Sequence, residues 1–182
     1  MTKPDFENKS LVLIILTGYI FNQLFGILGF LCTQASGAQI MCFQIGNAFA
    51  ISASVMAGRY TGMRGQHVAA SAYILLGITH GISLAALTRT GINAEREVTM
   101  AMPMIPSLIF MFWCTLYPVW LRVLSIVPSI FFILMYVLVH SGVSYFDWAL
   151  YSGYGTLQLV EVIWAVYLYK DWQQQTLQKQ NL

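Results

Sequence analysis

Residues 149–169 read ALYSGYGTLQLVEVIWAVYLY, a long apolar run with one acidic side chain, Glu161. Such a run is long enough to cross a bilayer core of about 30 Å as one helix. An ionised carboxylate surrounded by hydrocarbon costs several kcal/mol. Glu161 is therefore expected to be paired, protonated or in contact with water, and the other segments must supply its partner or its cavity.

The composition of the whole chain is typical of a membrane protein. Of its 182 residues, 58% are hydrophobic and only 9% are charged, whereas a soluble domain carries about 25% charged residues. The length suits one domain and leaves no room for a separate soluble catalytic domain. The net charge of +2 is too small to indicate a nucleic-acid-binding surface.

Hydropathy along the chain predicts an all-α integral membrane protein with six transmembrane helices. A cytoplasmic segment at 1–10 precedes the six-helix bundle at 11–169, and a cytoplasmic tail follows at 170–182. The fourth and fifth spans are nearly continuous, so a bend is expected between Tyr117 and Arg122, where Pro118 favours it. The predicted spans lie at about 11–31, 38–58, 67–88, 101–121, 123–142 and 148–169.

The lysines and arginines of the short loops predict that both termini are cytoplasmic, because such residues are enriched on that side of a membrane. With the N-terminus inside, the outer loops contain only Arg89 and Arg96. The location expected is the cell (inner) membrane. One small bundle encloses little volume, so a homo-oligomer or an assembly with other membrane subunits is expected. The predicted inner side contains Lys3, Lys9, Arg59, Arg64, Arg122, Lys170 and Lys179.

Small residues recur every four positions in the second and third spans. Helices in lipid associate where such residues allow their backbones to approach closely. The first three spans are therefore predicted to form a tight inner bundle. The predicted packing positions are Gly46, Ala50, Ser54, Gly58, Gly77 and Gly81.

Four polar side chains from three spans are predicted to share one layer near the midplane. At 1.5 Å per residue, Asn22, Asn47 and Gln158 lie roughly 15 to 18 Å, and Glu161 about 12 Å, from the cytoplasmic edge. Polar residues at this depth are typical of a solute or ion pathway, in which Glu161 is a proton acceptor or cation ligand. The last helix is expected to leave Val160, Ile163 and Tyr167 largely to lipid or a partner. A second interpretation is structural, in which the same groups bind helices together in a scaffold or accessory subunit.

The histidines and cysteines leave further alternatives open. His80 is expected in the outer half of the bundle, beside the polar layer, and is assigned to the same solute or ion pathway. His80 and His140 could ligate a haem b in an electron carrier. Cys32 and Cys42 flank the first outer loop and could form a disulfide or be two small buried residues. No cofactor is predicted. An intramembrane enzyme with Glu161 or a histidine as general base lacks a supporting motif, so no catalytic residue is assigned.

The inner loop GRYTGMRGQ, residues 58–66, combines glycines with Arg59 and Arg64. Backbone N–H groups and guanidinium groups in such a turn could hold a phosphate or lipid headgroup. The simpler interpretation is a tight connector on the positively charged side of the membrane.

Residues Gly46 to Leu87 resemble the second and third helices of one half of a multidrug and toxin extrusion transporter. The glycine-rich turn from Gly58 to Gly62 carries the resemblance, although Arg59 stands where that family usually has glutamine. The chain corresponds to one half only. The resemblance therefore implies that two copies assemble in parallel around a central cavity.

Overall fold

The computed structural model describes residues 3–34, 36–86, 94–143 and 147–180, and helices dominate these ranges, which contain no strand. Between α5 and α6 the chain forms one turn of 3₁₀ helix, Met111–Trp113. The α-helices are α1 (Lys3–Leu31), α2 (Gly37–Met63), α3 (His67–Ala86), α4 (Ala94–Ala101), α5 (Met104–Phe110), α6 (Val119–Leu124), α7 (Val127–His140) and α8 (Asp147–Gln180).

Four helical segments of the described chain are long and apolar enough to cross a membrane, which fits the predicted membrane class. The count of six spans is not confirmed. The predicted span at 101–121 is not a continuous helix, and α8, which includes the predicted span at 148–169, is not among the four. The four segments are Lys9–Leu31, Gly37–Met63, His67–Ala86 and Val119–His140.

The break in the predicted fourth span lies at residues 114–118, at the start of the region where a bend was expected. Cys114 and Pro118 have extended backbones, with ψ of 104° and 155°. Proline has no N–H to donate to a helix, so Pro118 instead precedes the first turn of α6. The N–H of Thr115 donates to Oε1 of Gln66 at 3.0 Å. This bond places the break beside the turn that joins α2 to α3.

Two residues define the ends of α2. The Ser36 side chain accepts a hydrogen bond from the N–H of Gln39 at 3.1 Å and caps the first turn. At the other end Gly65 has a φ of +75°, a conformation that glycine adopts without steric cost. The N–H of Gln66 then bonds the carbonyl of Thr61 at 2.9 Å, so the chain reverses into α3.

Small residues bring α1, α2 and α3 together, as the sequence pattern predicted. A Cβ added to Gly18 would lie 2.8 Å from Cβ of Ala53, and one added to Gly77 would lie 3.3 Å from Cβ of Ser54. A Cβ on Gly81 would come no closer than 4.0 Å to Ile51, so the stripe on α3 loosens there. Gly46, Ala50, Ser54 and Gly58 are buried.

The helix α8 differs from its prediction in two respects. It continues without a break through Gln180, into the segment at 170–182 that was predicted as a separate tail. Asp171 explains part of this difference, because its carboxylate accepts hydrogen bonds from Tyr60 at 2.7 Å and from Arg64 at 3.0 and 3.1 Å. The expected lipid exposure of Val160 is wrong, since this side chain is buried in the core.

The core centres on aromatic side chains between α8, α3 and the break before α6. Trp164 stacks on Tyr117 and meets Tyr73 edge-on, with ring centroids 6.3 and 5.5 Å apart. The hydroxyls of Tyr73 and Tyr117 are hydrogen-bonded to each other, and the indole N–H of Trp164 donates to Ser125 at 2.9 Å. This cluster fills the bundle on one side of Glu161, which lies one helical turn before Trp164.

Candidate functional site

Glu161 is fully buried and contacts side chains from two other helices. Its Oε2 accepts a hydrogen bond from Nδ2 of Asn22 on α1 at 2.8 Å. Its Oε1 lies 2.9 Å from Nε2 of His80 on α3. The carboxyl group is therefore paired within the protein, which is one of the three environments expected for an acidic side chain deep in an apolar helix.

Asn47 on α2 extends this network. Its Oδ1 lies 2.9 Å from Nδ1 of His80, and its Nδ2 donates to the carbonyl of Phe43 at 2.9 Å. One continuous chain of hydrogen bonds thus runs from Phe43 through Asn47, His80 and Glu161 to Asn22. We call Asn22, Asn47, His80 and Glu161 the polar network. It joins α1, α2, α3 and α8.

The close approach of α1 and α2 positions Asn22. A Cβ added to Gly46 would lie 3.2 Å from Oδ1 of Asn22 and 3.4 Å from its carbonyl oxygen. One turn earlier on α1, the hydroxyl of Tyr19 pairs with that of Ser54 at 2.9 Å. The small side chains that pack these helices therefore also leave space for the asparagine.

A cavity of about 140 Å³ lies against the polar network. Asn22, Asn47 and His80 line its inner end, whereas Glu161 lies behind them. The walls are mainly apolar and aromatic. They include Phe30, Phe43, Met100, Leu150, Tyr151, Tyr154 and Leu157.

The end of the cavity away from the polar network, which we call its mouth, lies where α1 ends and α2 and α8 begin. Gln34 and Gln39 line it beside Arg96 and Glu97 of α4. The Arg96 guanidinium contacts the Glu97 carboxylate at 3.0 Å. Burial raises the pKa of Glu97 above its usual value, and Arg96 offsets part of this rise. The mouth is thus polar and charged, in contrast to the walls.

The structure places Gln158 on the wall of the cavity rather than within the polar network. A Cβ added to Gly26 would lie 2.4 Å from the amide end of the Gln158 side chain. Arg59 is exposed. Arg64 makes its ion pair with Asp171, 3.0 Å away, so its guanidinium already holds a carboxylate of the same chain.

The remaining candidates lie apart from the polar network. His140 is at the end of α7, where Nδ1 lies 3.0 Å from the Tyr136 carbonyl. Both ring nitrogens of His80 are engaged by Asn47 and Glu161, so an axial bond from His80 to a haem would replace one of these contacts. Cys32 and Cys42 are free thiols. In the described ranges, no three His, Cys, Asp or Glu side chains are grouped to hold a metal ion.

Sequence reasoning placed His80 near Glu161 but further out, and did not identify their direct contact. It also did not identify Tyr151 as a residue of the cavity. The sequence did contain one indication of where His80 lies. Gly77, one turn earlier on the same face of α3, packs against α2. The cluster around Asp171 was also missed. Gln175, one turn later, donates to Asp171 at 2.7 Å, and this i, i+4 spacing was its only signal in the sequence.

Comparisons with family models, with curated proteins and with solved structures gave no match.

Proposed function

We propose that this protein is a small transport or channel-like unit that binds a small solute in the cavity at the polar network. The observation that supports the proposal is the position of Asn22, Asn47 and His80 at the inner end of a cavity with mainly apolar walls. Ligand sites in proteins commonly combine apolar walls with a few convergent polar groups. Intramembrane polar side chains of this kind typically mark solute or ion pathways.

The depth of the site also favours transport. Counted at 1.5 Å per residue, Asn22, Asn47 and His80 lie about 14, 15 and 9 Å from the helix ends at the mouth. They lie about 20, 24 and 20 Å from the opposite ends of the candidate spans. On that opposite side the buried Tyr19 and Trp164 close the bundle. A midplane site open to one side only is the arrangement that alternating access requires.

The cavity size limits the solute. A cavity of about 150 Å³ holds a benzene molecule, so the volume of about 140 Å³ suits a solute of about six heavy atoms. The amide and imidazole groups would bind a hydroxyl, an amide or an amine on it. Larger solutes would need a wider cavity.

In this proposal the chain crosses the membrane six times, and the fourth crossing is an interrupted helix. Arg96 of α4 lies at the mouth, whereas Thr115 contacts Gln66 beside the α2–α3 turn. The chain between them therefore runs from one end of the bundle to the other. Irregular backbone at membrane depth is tolerated where protein surrounds it, and Met104, Leu108 and Met111 are fully buried. With α8 as the sixth crossing, both termini lie on the cytoplasmic side of the cell membrane.

Flux through reconstituted protein tests the proposal. Liposomes with the protein are expected to take up radiolabelled glycerol, urea or alanine faster than empty liposomes. Gly26→Leu should remove the difference, because its side chain would displace Gln158 into the cavity. Gly155→Leu is the matched control, since a Cβ there meets no atom within 4 Å.

Equal uptake rates with and without the protein, for each of the three solutes, would contradict the transport proposal. That result would favour the structural interpretation, a scaffold or accessory subunit in which the polar network holds helices together. Co-purification of a homo-oligomer would fit both functions, so it does not distinguish them.

A side-specific label tests the access that the proposal assumes. In a variant with its native cysteines replaced by alanine, Ser83→Cys should react with a membrane-impermeant thiol reagent from the outer side only, because Ser83 lines the cavity. Ser129→Cys is the control, since Ser129 is buried on α7. Equal labelling of both variants would contradict a cavity that is accessible from the outer side only.

A further inference from the structure

The orientation of the Asn47 amide fixes one proton in the polar network. Its Nδ2 donates to the carbonyl of Phe43 at 2.9 Å, so the group that faces His80 is the oxygen, Oδ1. A carbonyl oxygen accepts hydrogen bonds and cannot donate one. Nδ1 of His80 therefore carries a hydrogen and donates it to Asn47. The assignment follows from the hydrogen-bond partners alone.

A second proton then lies between His80 and Glu161. Nε2 of His80 and Oε1 of Glu161 are 2.9 Å apart, and a hydrogen bond at this distance needs one hydrogen between them. Either the histidine is an imidazolium facing a carboxylate, or a neutral carboxyl group donates to a neutral imidazole. In both cases the pair has no net charge, which suits its complete burial.

We propose that His80 and Glu161 form a buried site for one exchangeable proton, and that its occupancy sets the arrangement of the inner end of the cavity. Without this proton, the Nε2 lone pair would face a carboxylate oxygen. A shift of the remaining hydrogen from Nδ1 to Nε2 would restore that contact, but would leave a lone pair facing Oδ1 of Asn47. A rotated Asn47 amide would then lose its bond to Phe43.

A second added proton is opposed in the same way. It would have to occupy Oε2 of Glu161, where the neighbouring Asn22 amide is itself a donor at 2.8 Å, and it would give the buried pair a net positive charge. The four side chains thus accommodate one proton between His80 and Glu161 without breaking a bond. Loss or gain of a proton moves Asn22, Asn47 or His80, and these are the groups that line the inner end of the cavity.

The titratable groups around the pair have partners of their own. On the α1 side Tyr19 bonds Ser54 of α2, and on α8 Tyr154 and Gln158 line the cavity wall. Tyr73 and Tyr117 are bonded to each other in the aromatic core. The ion pair of Arg96 with Glu97 on α4 lies at the mouth. Glu97, a carboxylate at the mouth of the cavity, can therefore serve as the control for Glu161.

Proton occupancy and solute binding are then linked, a step that rests on the proposed function. A solute that bonds Asn47 or His80 competes with the contacts that hold the proton, so each changes the affinity of the other by the same factor. The proton site itself does not depend on transport. It can be measured without any solute.

Nitrogen-15 spectra of His80 test the proton count in the variant His67→Gln/His140→Gln. Protonated Nδ1 is expected at every pH, and Nε2 is expected to bond a hydrogen that is lost as pH rises. Infrared difference spectra between acidic and alkaline buffer should show a band from the Glu161 side chain, a carboxyl band where Glu161 holds the proton and a shifted carboxylate band where His80 holds it. Glu161→Gln should remove this signal, whereas the matched Glu97→Gln should keep it.

Glu161→Gln is designed to keep the fold. Its amide oxygen can accept from Asn22, and its NH₂ group can donate to Nε2 of a neutral His80, so each hydrogen bond has a partner without the exchangeable proton. An unprotonated Nδ1 would overturn the proton count. A proton retained at every pH at which the protein stays folded would overturn the proposed change in the cavity. Absence of solute flux with the expected spectra would refute transport and leave the proton site intact.

Discussion

The contact between α1 and α2 at Gly18 controls both packing and the polar network, and Gly18→Ala is the substitution that tests this. The added Cβ would lie 2.8 Å from Cβ of Ala53 and 3.0 Å from the carbonyl oxygen of Phe49. Carbon atoms are in favourable contact at about 3.8 Å. The two helices must therefore separate by about 1 Å at this point.

That separation is expected to reach Asn22, which lies about 6 Å further along the same helix. Its bond to Glu161 is 2.8 Å long, so a 1 Å movement would lengthen it beyond about 3.5 Å, where little hydrogen bonding remains. Overpacking costs about 1 to 3 kcal/mol. The lost interhelical bond adds about 0.6 kcal/mol. The gain from replacing glycine inside a helix offsets up to about 1 kcal/mol.

The assay is reversible unfolding of the purified protein by sodium dodecyl sulfate in mixed micelles, followed by circular dichroism. Gly18→Ala is expected to lower the free energy of unfolding by about 1 to 2 kcal/mol. Gly18→Ala/Ala53→Gly should recover much of the loss, because it removes the closest contact. Gly155→Ala is the control and should not destabilise. A Gly18→Ala protein as stable as the wild type would refute the close approach of the two helices.

Three further substitutions test other contacts by the same unfolding assay. Burial raises the pKa of Glu97, so the folded protein binds its proton more tightly than the unfolded chain. The stability from this group is then present below the unfolded pKa and is lost as pH rises through the folded pKa. Glu97→Gln should therefore be more stable than wild type above that window, and a less stable variant there would mean that the bond from Arg96 outweighs burial. Ser125→Ala leaves the Trp164 indole N–H without its acceptor and should cost about 1 to 3 kcal/mol; an unchanged stability would show that another acceptor replaces it. Asp171→Asn should cost at most about 1 kcal/mol, and less at high salt, because the ion pair that it disrupts is partly exposed; a larger, salt-independent loss would contradict the screening argument.

The depth of residues in the candidate helices could be predicted from the sequence, because helix rise is constant. Asn22 and Asn47 were predicted near one layer with Glu161, and the structure places all three in one hydrogen-bonded network. The link between them, His80, was assigned to the outer half beside that layer and paired with His140. A count of residues gives the depth of a side chain but not the rotation of its helix.

The fourth span shows a second limit of sequence reasoning. Hydropathy over 101–121 is that of a membrane helix, yet the backbone becomes extended at Cys114 and Pro118. Pro118 favoured a bend in the sequence, but the place where the chain is broken depends on a tertiary contact, the bond from Thr115 to Gln66. Contacts between distant residues of this kind leave no periodic signal in the sequence.

The small residues of α1 and α2 have a role beyond packing. Gly46 leaves the space that Asn22 occupies, with only 3.2 Å between its absent Cβ and the asparagine oxygen. Gly18, one turn from Asn22, sets the separation of the same two helices. A substitution at either glycine would therefore change the geometry of Glu161 without touching it. Variants in this stripe should be assayed for proton binding as well as for stability, and a glycine variant that loses stability but keeps the His80 spectrum would separate the two roles.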